Sequence, residues 1–266
     1  MADVMEERVR SIGLTAGICF VASAVVLAIS IVLFPSLPPA NETNRVLDVL
    51  VKQDNGAWMT LHAWMACGFL LATVAFTALS FLLHLRGSSG PASIASVSAL
   101  VGGALWAAFL SLEFFVHPFL ANLMPVDPGL GTMLFNVVWF WKMGALWLAG
   151  LLFFVAVVAA GWAANVRGIL PAWLGLGGTV FGAIGILVYL FEFMGASATG
   201  GAINPMRGAF ARYGVGLPLQ AWMLGAGLVL IGDWRSRART LPPQVRTAVP
   251  KREAAPEPPP LPPPIP

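Results

Sequence analysis

The chain has 266 residues, of which 58% are hydrophobic and only 10% are charged, and its formal net charge at pH 7 is +3. Soluble globular domains carry about 25% charged residues, so this composition excludes an ordinary soluble domain. The cationic side chains lie at the ends of apolar runs and near the C-terminus, which excludes a nucleic-acid-binding face. Long apolar runs recur along the sequence and predict a multi-pass helical membrane protein.

Six apolar runs predict an all-α bundle of six transmembrane helices, because roughly 20 helical residues cross a hydrocarbon core of about 30 Å. The runs lie at residues 11–34, 59–85, 92–117, 133–164, 168–194 and 214–232. The fourth is too long for a simple crossing, and we expect its first turns, with Trp139 and Trp141, to lie in the outer interface. We expect residues 1–240 to form one transmembrane domain and residues 241–266 a separate proline-rich tail.

Lysine and arginine are distributed unevenly between the two sides of this predicted bundle. With the N-terminus inside, ten of the fifteen lie on the inner side: Arg8, Arg10, Arg86, Arg167, Arg235, Arg237, Arg239, Arg246, Lys251 and Arg252. The other five lie on or near the outer side: Arg45, Lys52, Lys142, Arg207 and Arg212. The positive-inside rule then predicts cytoplasmic termini and a location in a bacterial-type plasma (inner) membrane. The first run is too long and its flank too acidic for a cleaved signal peptide.

The predicted connecting segments differ in composition. Residues 35–58 contain apolar residues in helical spacing and predict a short amphipathic helix on the membrane. Residues 118–131 contain three prolines and two glycines and predict a turn-rich connection. Residues 195–213 predict a flexible connector, with a mobile flap over the outer mouth as the alternative. The tail from Leu241 contains eleven prolines and predicts a disordered extension, with docking of a partner as the alternative.

The stretch from Ala99 to Pro118 is apolar enough to span a bilayer, yet it contains a carboxylate and an imidazole. Glu113 and His117 are four residues apart, so they share one face of a helix. An ionisable side chain inside a membrane span is costly and usually faces protein or water. This stretch therefore provides the starting point for a candidate site.

Four ionisable residues from four predicted spans fall at the same depth. Three of them, His62, Glu113 and Lys142, are 22 residues from the inner end of their spans, and Glu192 is 21 residues from its own. At a rise of about 1.5 Å per residue, all lie about 31–33 Å from the inner boundary. We expect them to meet near the outer interface, with His117 one turn further out. The alternative is that this depth merely tolerates polar groups, with Lys142 reaching the headgroups.

Rows of small residues indicate the direction of these side chains. Gly178, Gly182 and Gly185 lie on one face of the fifth span, and the same face continues to Glu192. Two glycines four residues apart, such as Gly178 and Gly182, are typical of closely packed membrane helices. A second row in the third span lies beside Glu113: Ala99, Gly103 and Ala107. Both rows predict that the two carboxylates face the bundle interior.

Three hypotheses describe what this cluster does. A solute-binding site would use His62, Glu113, Lys142, Glu192 and Arg207. A metal site for zinc, iron or manganese would use two imidazoles and two carboxylates: His62, Glu113, His117 and Glu192. Haem bound by His62 and His117 is a weaker alternative. The purely structural interpretation is ion pairing, of Glu113 with Lys142 and of Glu192 with Arg207 or Arg212.

The first ninety residues carry a family resemblance. A first span ending in Phe34-Pro35, a polar loop of about twenty residues, and Trp58 and His62 opening the second span resemble uncharacterised six-span bacterial integral membrane proteins. The resemblance implies a six-span fold and no particular activity.

The functional interpretation is a membrane-embedded binding or accessory protein with an outward-facing polar pocket. The alternative is a metal-dependent membrane enzyme or redox protein that uses the His and Glu residues at the outer face. The sequence contains no phosphate-binding loop, nucleophile elbow or dinucleotide fingerprint. Expected partners are the lipid bilayer, a small polar solute, and a membrane-complex subunit or a second copy of the chain, but no nucleic acid.

Overall fold

A computed structural model describes residues 2–33, 55–198 and 216–240, with the side chains of residues 2–5, 55–58, 117, 121, 143, 192–198 and 234–240 excepted. These residues are almost entirely helical and contain no β-strand. The α-helices are α1 (Ala2–Leu33), α2 (Asn55–Leu85), α3 (Ser89–Ser111), α4 (His117–Leu123), α5 (Pro128–Val166), α6 (Ala172–Ala198) and α7 (Leu217–Thr240). A π-helix, Leu112–Val116, joins α3 directly to α4.

Five helical stretches are long and apolar enough to cross a membrane. They are Glu6–Leu33, Met59–Leu85, Ser89–Leu120, Pro128–Val166 and Ala172–Phe191. The all-α prediction and five of the predicted spans are thereby supported. The apolar part of α7, Leu217–Asp233, is shorter, so the sixth span stays a prediction.

The long helices pack in chain order as a closed ring. Helix α1 packs against α2, α2 against α3, α3 against α5, α5 against α6, α6 against α7, and α7 against α1. Ring neighbours run antiparallel; for example, Gly13 of α1 lies near Leu82 of α2, whereas Leu27 of α1 lies near Gly68 of α2. The α2–α3 and α5–α6 turns, which contain Arg86 and Arg167, lie together at one end of the bundle, which we call the arginine end. At this arginine end, the Arg167 guanidinium donates a hydrogen bond to the carbonyl oxygen of Gly87. We call the opposite end, where the α4–α5 turn lies, the far end.

Aromatic rings from several helices fill the centre of the ring. The Phe20 ring of α1 meets the Phe76 ring of α2 edge-on at 5.0 Å, and Trp222 of α7 stacks on Phe76 at 6.2 Å. Phe153 of α5 contacts Phe76, and Phe69 of α2 lies between Phe153 and Trp106 of α3. This aromatic core extends toward the far end and supports the polar side chains there.

The third predicted span continues beyond its expected end. Residues 118–131 were expected to form a connection, but α4 extends to Leu123 and α5 begins at Pro128, capped by Asp127. The π-helix explains why the helical stretch continues past Pro118. A new helix, α4, begins directly after the π-helix, so Pro118 falls in its first turn, where a missing N–H costs no hydrogen bond. The connection is therefore a short turn instead of a long loop.

Several predicted segments lie outside the described residues. The amphipathic helix expected within residues 35–58 and the whole proline-rich tail are not described, although residues 55–58 belong to α2. Of the expected connector 195–213, the first four residues belong to α6 and the rest is not described.

Candidate functional site

Glu113 lies in the π-helix and points into the bundle. The residue is only 2% exposed. Trp106, seven residues earlier, is also buried, so both residues lie on one face of the helical stretch. The buried row of α3 runs through Ala99, Gly102 and Trp106. The predicted row of small residues beside Glu113, which ends at Ala107, is partly wrong, because Ala107 is exposed. Short π-helices inside α-helical segments occur frequently at functional sites.

Lys142 of α5 is the direct partner of Glu113. Its Nζ donates a hydrogen bond of 2.5 Å to Glu113 Oε1, and the residue is 3% exposed. The predicted ion pair between these residues is therefore present. The interpretation of Lys142 as a side chain that reaches the headgroups is wrong, because a carboxylate within the bundle binds its ammonium group instead.

Two aromatic rings surround the ammonium group of Lys142. The Nζ atom lies 4.3 Å from the centre of the Trp139 ring and 5.6 Å from the centre of the Phe109 ring. Aromatic faces attract a cation, and the attraction is stronger where water is excluded. The rings therefore stabilise an ammonium group at this position inside the bundle.

His62 of α2 completes the cluster from a third helix. The residue is 1% exposed, and its Nε2 lies 3.9 Å from Glu113 Oε2. The imidazole also lies beside the Phe109 ring, with 6.5 Å between ring centres. We call His62, Glu113 and Lys142 the buried triad.

Glu113 occupies the middle of the buried triad. Its Oε1 binds Lys142, and its Oε2 faces His62 at a distance longer than a hydrogen bond. Glutamate and lysine together carry no net charge, which makes their burial possible. A movement of the carboxylate by about 1 Å toward His62 would convert the longer contact into a hydrogen bond.

The three members of the buried triad come from the residues that were predicted to share one depth. Counting residues along three helices was sufficient, because the rise of an α-helix is constant. Two close neighbours were not predicted, although spacing could have indicated them: Trp139 lies three residues before Lys142, and Phe109 lies four before Glu113.

The other predicted site residues are not placed by the structure. His117 is the first residue of α4 and Glu192 lies in α6, but neither side chain is described, and Arg207 and Arg212 lie outside the described residues. The packing face that leads to Glu192 is confirmed. A Cβ added to Gly182 would lie 3.1 Å from the Phe154 carbonyl oxygen, and a Cβ added to Gly178 or Gly185 would lie closer still to the ring of Trp222 or Phe154.

The metal and haem hypotheses stay predictions. Within the part of the chain that the structure describes, no three His, Cys, Asp or Glu side chains are grouped closely enough to hold a metal ion. The predicted set needs His117 and Glu192 in addition to His62 and Glu113, and the first two side chains are not described.

Comparisons with known proteins identify no relative of this chain: no family model, no curated protein and no solved structure matches it. The resemblance to six-span bacterial membrane proteins is therefore an untested prediction.

Proposed function

We propose that the chain is an integral membrane protein of six spans, with both termini in the cytoplasm of a bacterial-type cell, that binds a small anionic solute at the buried triad. The single observation that supports this function is the hydrogen-bonded pair of Lys142 and Glu113 at a π-helix inside an aromatic bundle. The far end faces outward, so the solute arrives from outside the cell.

The energetics of a buried ion pair favour a functional interpretation. Removing two charges from water costs several kcal/mol per ion, and apolar residues of similar volume are often as stabilising or more so. Stability alone therefore does not account for Lys142 and Glu113 in a core that is otherwise aromatic and aliphatic. Ionisable residues within membrane bundles commonly mark pathways or binding sites.

The ligand class follows from the charge that each group offers. Lys142 is a cation within an aromatic enclosure, and the group bound to it is a carboxylate. A solute that carries a carboxylate, phosphate or sulfate can replace the Glu113 carboxylate on Lys142. The displaced carboxylate then turns toward His62, which already lies 3.9 Å away, and a proton that enters with the anion and binds His62 keeps the site neutral. The protein would bind its solute by this exchange of one anion for another.

A fluorescence titration of the purified protein tests this function. Trp139 lies beside Lys142 and reports on changes there. Acetate, benzoate, phosphate and sulfate would be titrated into wild type, Lys142→Met, Lys142→Arg and, as a matched control, Arg10→Met. We expect at least one anion to give a saturable change in wild type, Lys142→Arg and Arg10→Met, and none in Lys142→Met.

Trp139→Phe tests whether Trp139 is the source of the fluorescence change. In this variant the anion-dependent change should disappear while the protein still folds. No response of the wild type to any of the four anions would contradict the proposed function. An equal response in wild type and Lys142→Met would contradict it as well, since the anion would then bind elsewhere.

A further inference from the structure

An exposed apolar surface lies at the far end, separate from the buried triad. On α5, Leu130, Met133, Val137, Phe140 and Trp141 are all exposed and lie on one helical face. Phe115 and Phe119, four residues apart along the π-helix and α4, are also exposed. We call these seven residues the apolar row.

Most of the apolar row extends beyond the expected hydrocarbon core. Helix α5 has 39 residues, which corresponds to about 58 Å, against a core of about 30 Å. The exposed tryptophans Trp162 and Trp141 lie 21 residues apart on α5, or about 32 Å, and such rings are typical of the two membrane interfaces. Residues 115–137 therefore lie at or above the outer interface, so hydrocarbon does not cover Met133 and Val137, which are 57% and 65% exposed.

Little of this surface is covered by the chain itself in the described structure. The α4–α5 hairpin has a small core of its own, formed by Leu120, Phe135 and Trp139. These buried side chains lie on the faces that α4 and α5 turn toward each other, and the apolar row lies outside them. Monomeric proteins rarely leave a contiguous apolar surface larger than a few hundred Å² in contact with water.

We propose that the apolar row is the contact surface between two copies of this chain in the membrane. Seven large side chains that each offer roughly 100 Å² give roughly 700 Å², close to the approximately 800 Å² that one partner contributes to a standard interface. Two copies inserted in the same direction present identical rows at the same height, so a two-fold axis along the membrane normal brings them together.

The charges of the hairpin also favour a second copy. Between residues 114 and 141 the sequence contains no Lys, Arg or Glu, and its two ionisable residues are His117 and Asp127, of which Asp127 accepts a hydrogen bond from the Leu130 backbone N–H. Two copies can therefore approach without repulsion between like charges along the row. This inference depends on the proposed membrane insertion and not on the solute site.

Cysteine cross-linking in native membranes tests the proposal. In a Cys19→Ser/Cys67→Ser background, Val137→Cys places a thiol on the apolar row, and Val180→Cys places one on the lipid-facing side of α6 with similar exposure. After mild oxidation, we expect Val137→Cys to run mainly as a disulfide-linked dimer and Val180→Cys as a monomer.

A second measurement uses the otherwise native chain in mild detergent. Met133→Lys should convert the dimer into a monomer in size-exclusion chromatography with light scattering, whereas Val126→Lys, at the tip of the hairpin, should leave the dimer intact.

A monomeric Val137→Cys protein would overturn the proposal. The reaction of its thiol with a maleimide would then show what the row contacts. A freely reactive thiol would mean an open surface, and a protected thiol would mean that something other than a second copy covers the row.

Discussion

Two ion pairs of equal length lie in very different surroundings in this protein. Lys142 Nζ and Glu113 Oε1 are 2.5 Å apart inside the bundle, and Arg10 Nη2 and Glu6 Oε1 are 2.5 Å apart on the surface of α1. Water and salt weaken the second pair, whereas the first is shielded from both. Surroundings and not distance therefore decide how much each pair affects stability.

Removal of Lys142 should cost far more stability than removal of Arg10. Lys142→Met leaves Glu113 as a buried carboxylate without its cation, for which we expect a loss of about 3–5 kcal/mol in the free energy of unfolding. Arg10→Met should cost less than about 1 kcal/mol. Reversible unfolding in mixed micelles, followed by tryptophan fluorescence, measures both. Equal losses in the two variants would mean that the Lys142–Glu113 pair is not shielded from water.

Residue spacing predicted part of the candidate site and missed part of it. Constant helical rise placed His62, Glu113 and Lys142 at one depth, and the row of small residues beside Glu113 directed its side chain inward. The sequence did not show whether Lys142 would reach the headgroups or turn inward. That choice depends on which side chains of α3 face it, and a single sequence does not contain this tertiary information.

At the scale of helices, backbone contact at small residues determines how closely the ring packs. Gly17 of α1 faces Gly227 of α7, and a Cβ added to Gly17 would lie 2.9 Å from the Gly227 carbonyl oxygen. Such close contact between backbones increases dispersion and allows tight crossing of membrane helices. The contact joins the first and last helices of the ring, so it closes the bundle.

A methyl group at this crossing should separate the two helices. For Gly17→Ala we expect a loss of about 1–3 kcal/mol, because the clash is with backbone, which cannot rotate away. Gly177→Ala is the matched control, since no atom lies within 4 Å of its added Cβ, and the higher helix propensity of alanine makes it neutral or slightly stabilising. Thermal unfolding measures the pair, and an unchanged Gly17→Ala protein would show that α1 and α7 do not meet here.

The π-helix is the element that the sequence indicated least. Hydrophobic periodicity defined the long helices well, because each has an apolar length that suits a membrane. A π-helix of five residues, Leu112–Val116, leaves no such periodic signal. Pro118 predicted a helix end, whereas the shift in hydrogen-bond register places it in the first turn of α4.

At the scale of the whole molecule, the ring topology places the arginine-bearing turns at one end and the α4–α5 turn at the other. Six crossings, as we propose, would place both termini on the same side of the membrane as the arginine-bearing turns. The proposed orientation places the arginine end in the cytoplasm.

Labelling of single cysteines tests that orientation. In the Cys19→Ser/Cys67→Ser background, Val126→Cys lies at the far end and Ser89→Cys at the arginine end, and both positions are exposed. A membrane-impermeant maleimide should label Val126→Cys in intact cells and Ser89→Cys only after lysis. The reverse pattern would place the buried triad nearer the cytoplasm.

The proposed function requires that Lys142 and Glu113 bind a solute and do not serve stability alone. The most direct measurement is thermal unfolding of wild type and of Lys142→Met/Glu113→Leu, each with and without the four anions of the fluorescence titration. We expect the apolar double variant to be at least as stable as the anion-free wild type, and only the wild type to gain stability from an anion. A double variant that is less stable, together with a wild type that no anion stabilises, would show that the pair is structural and would contradict the proposed function.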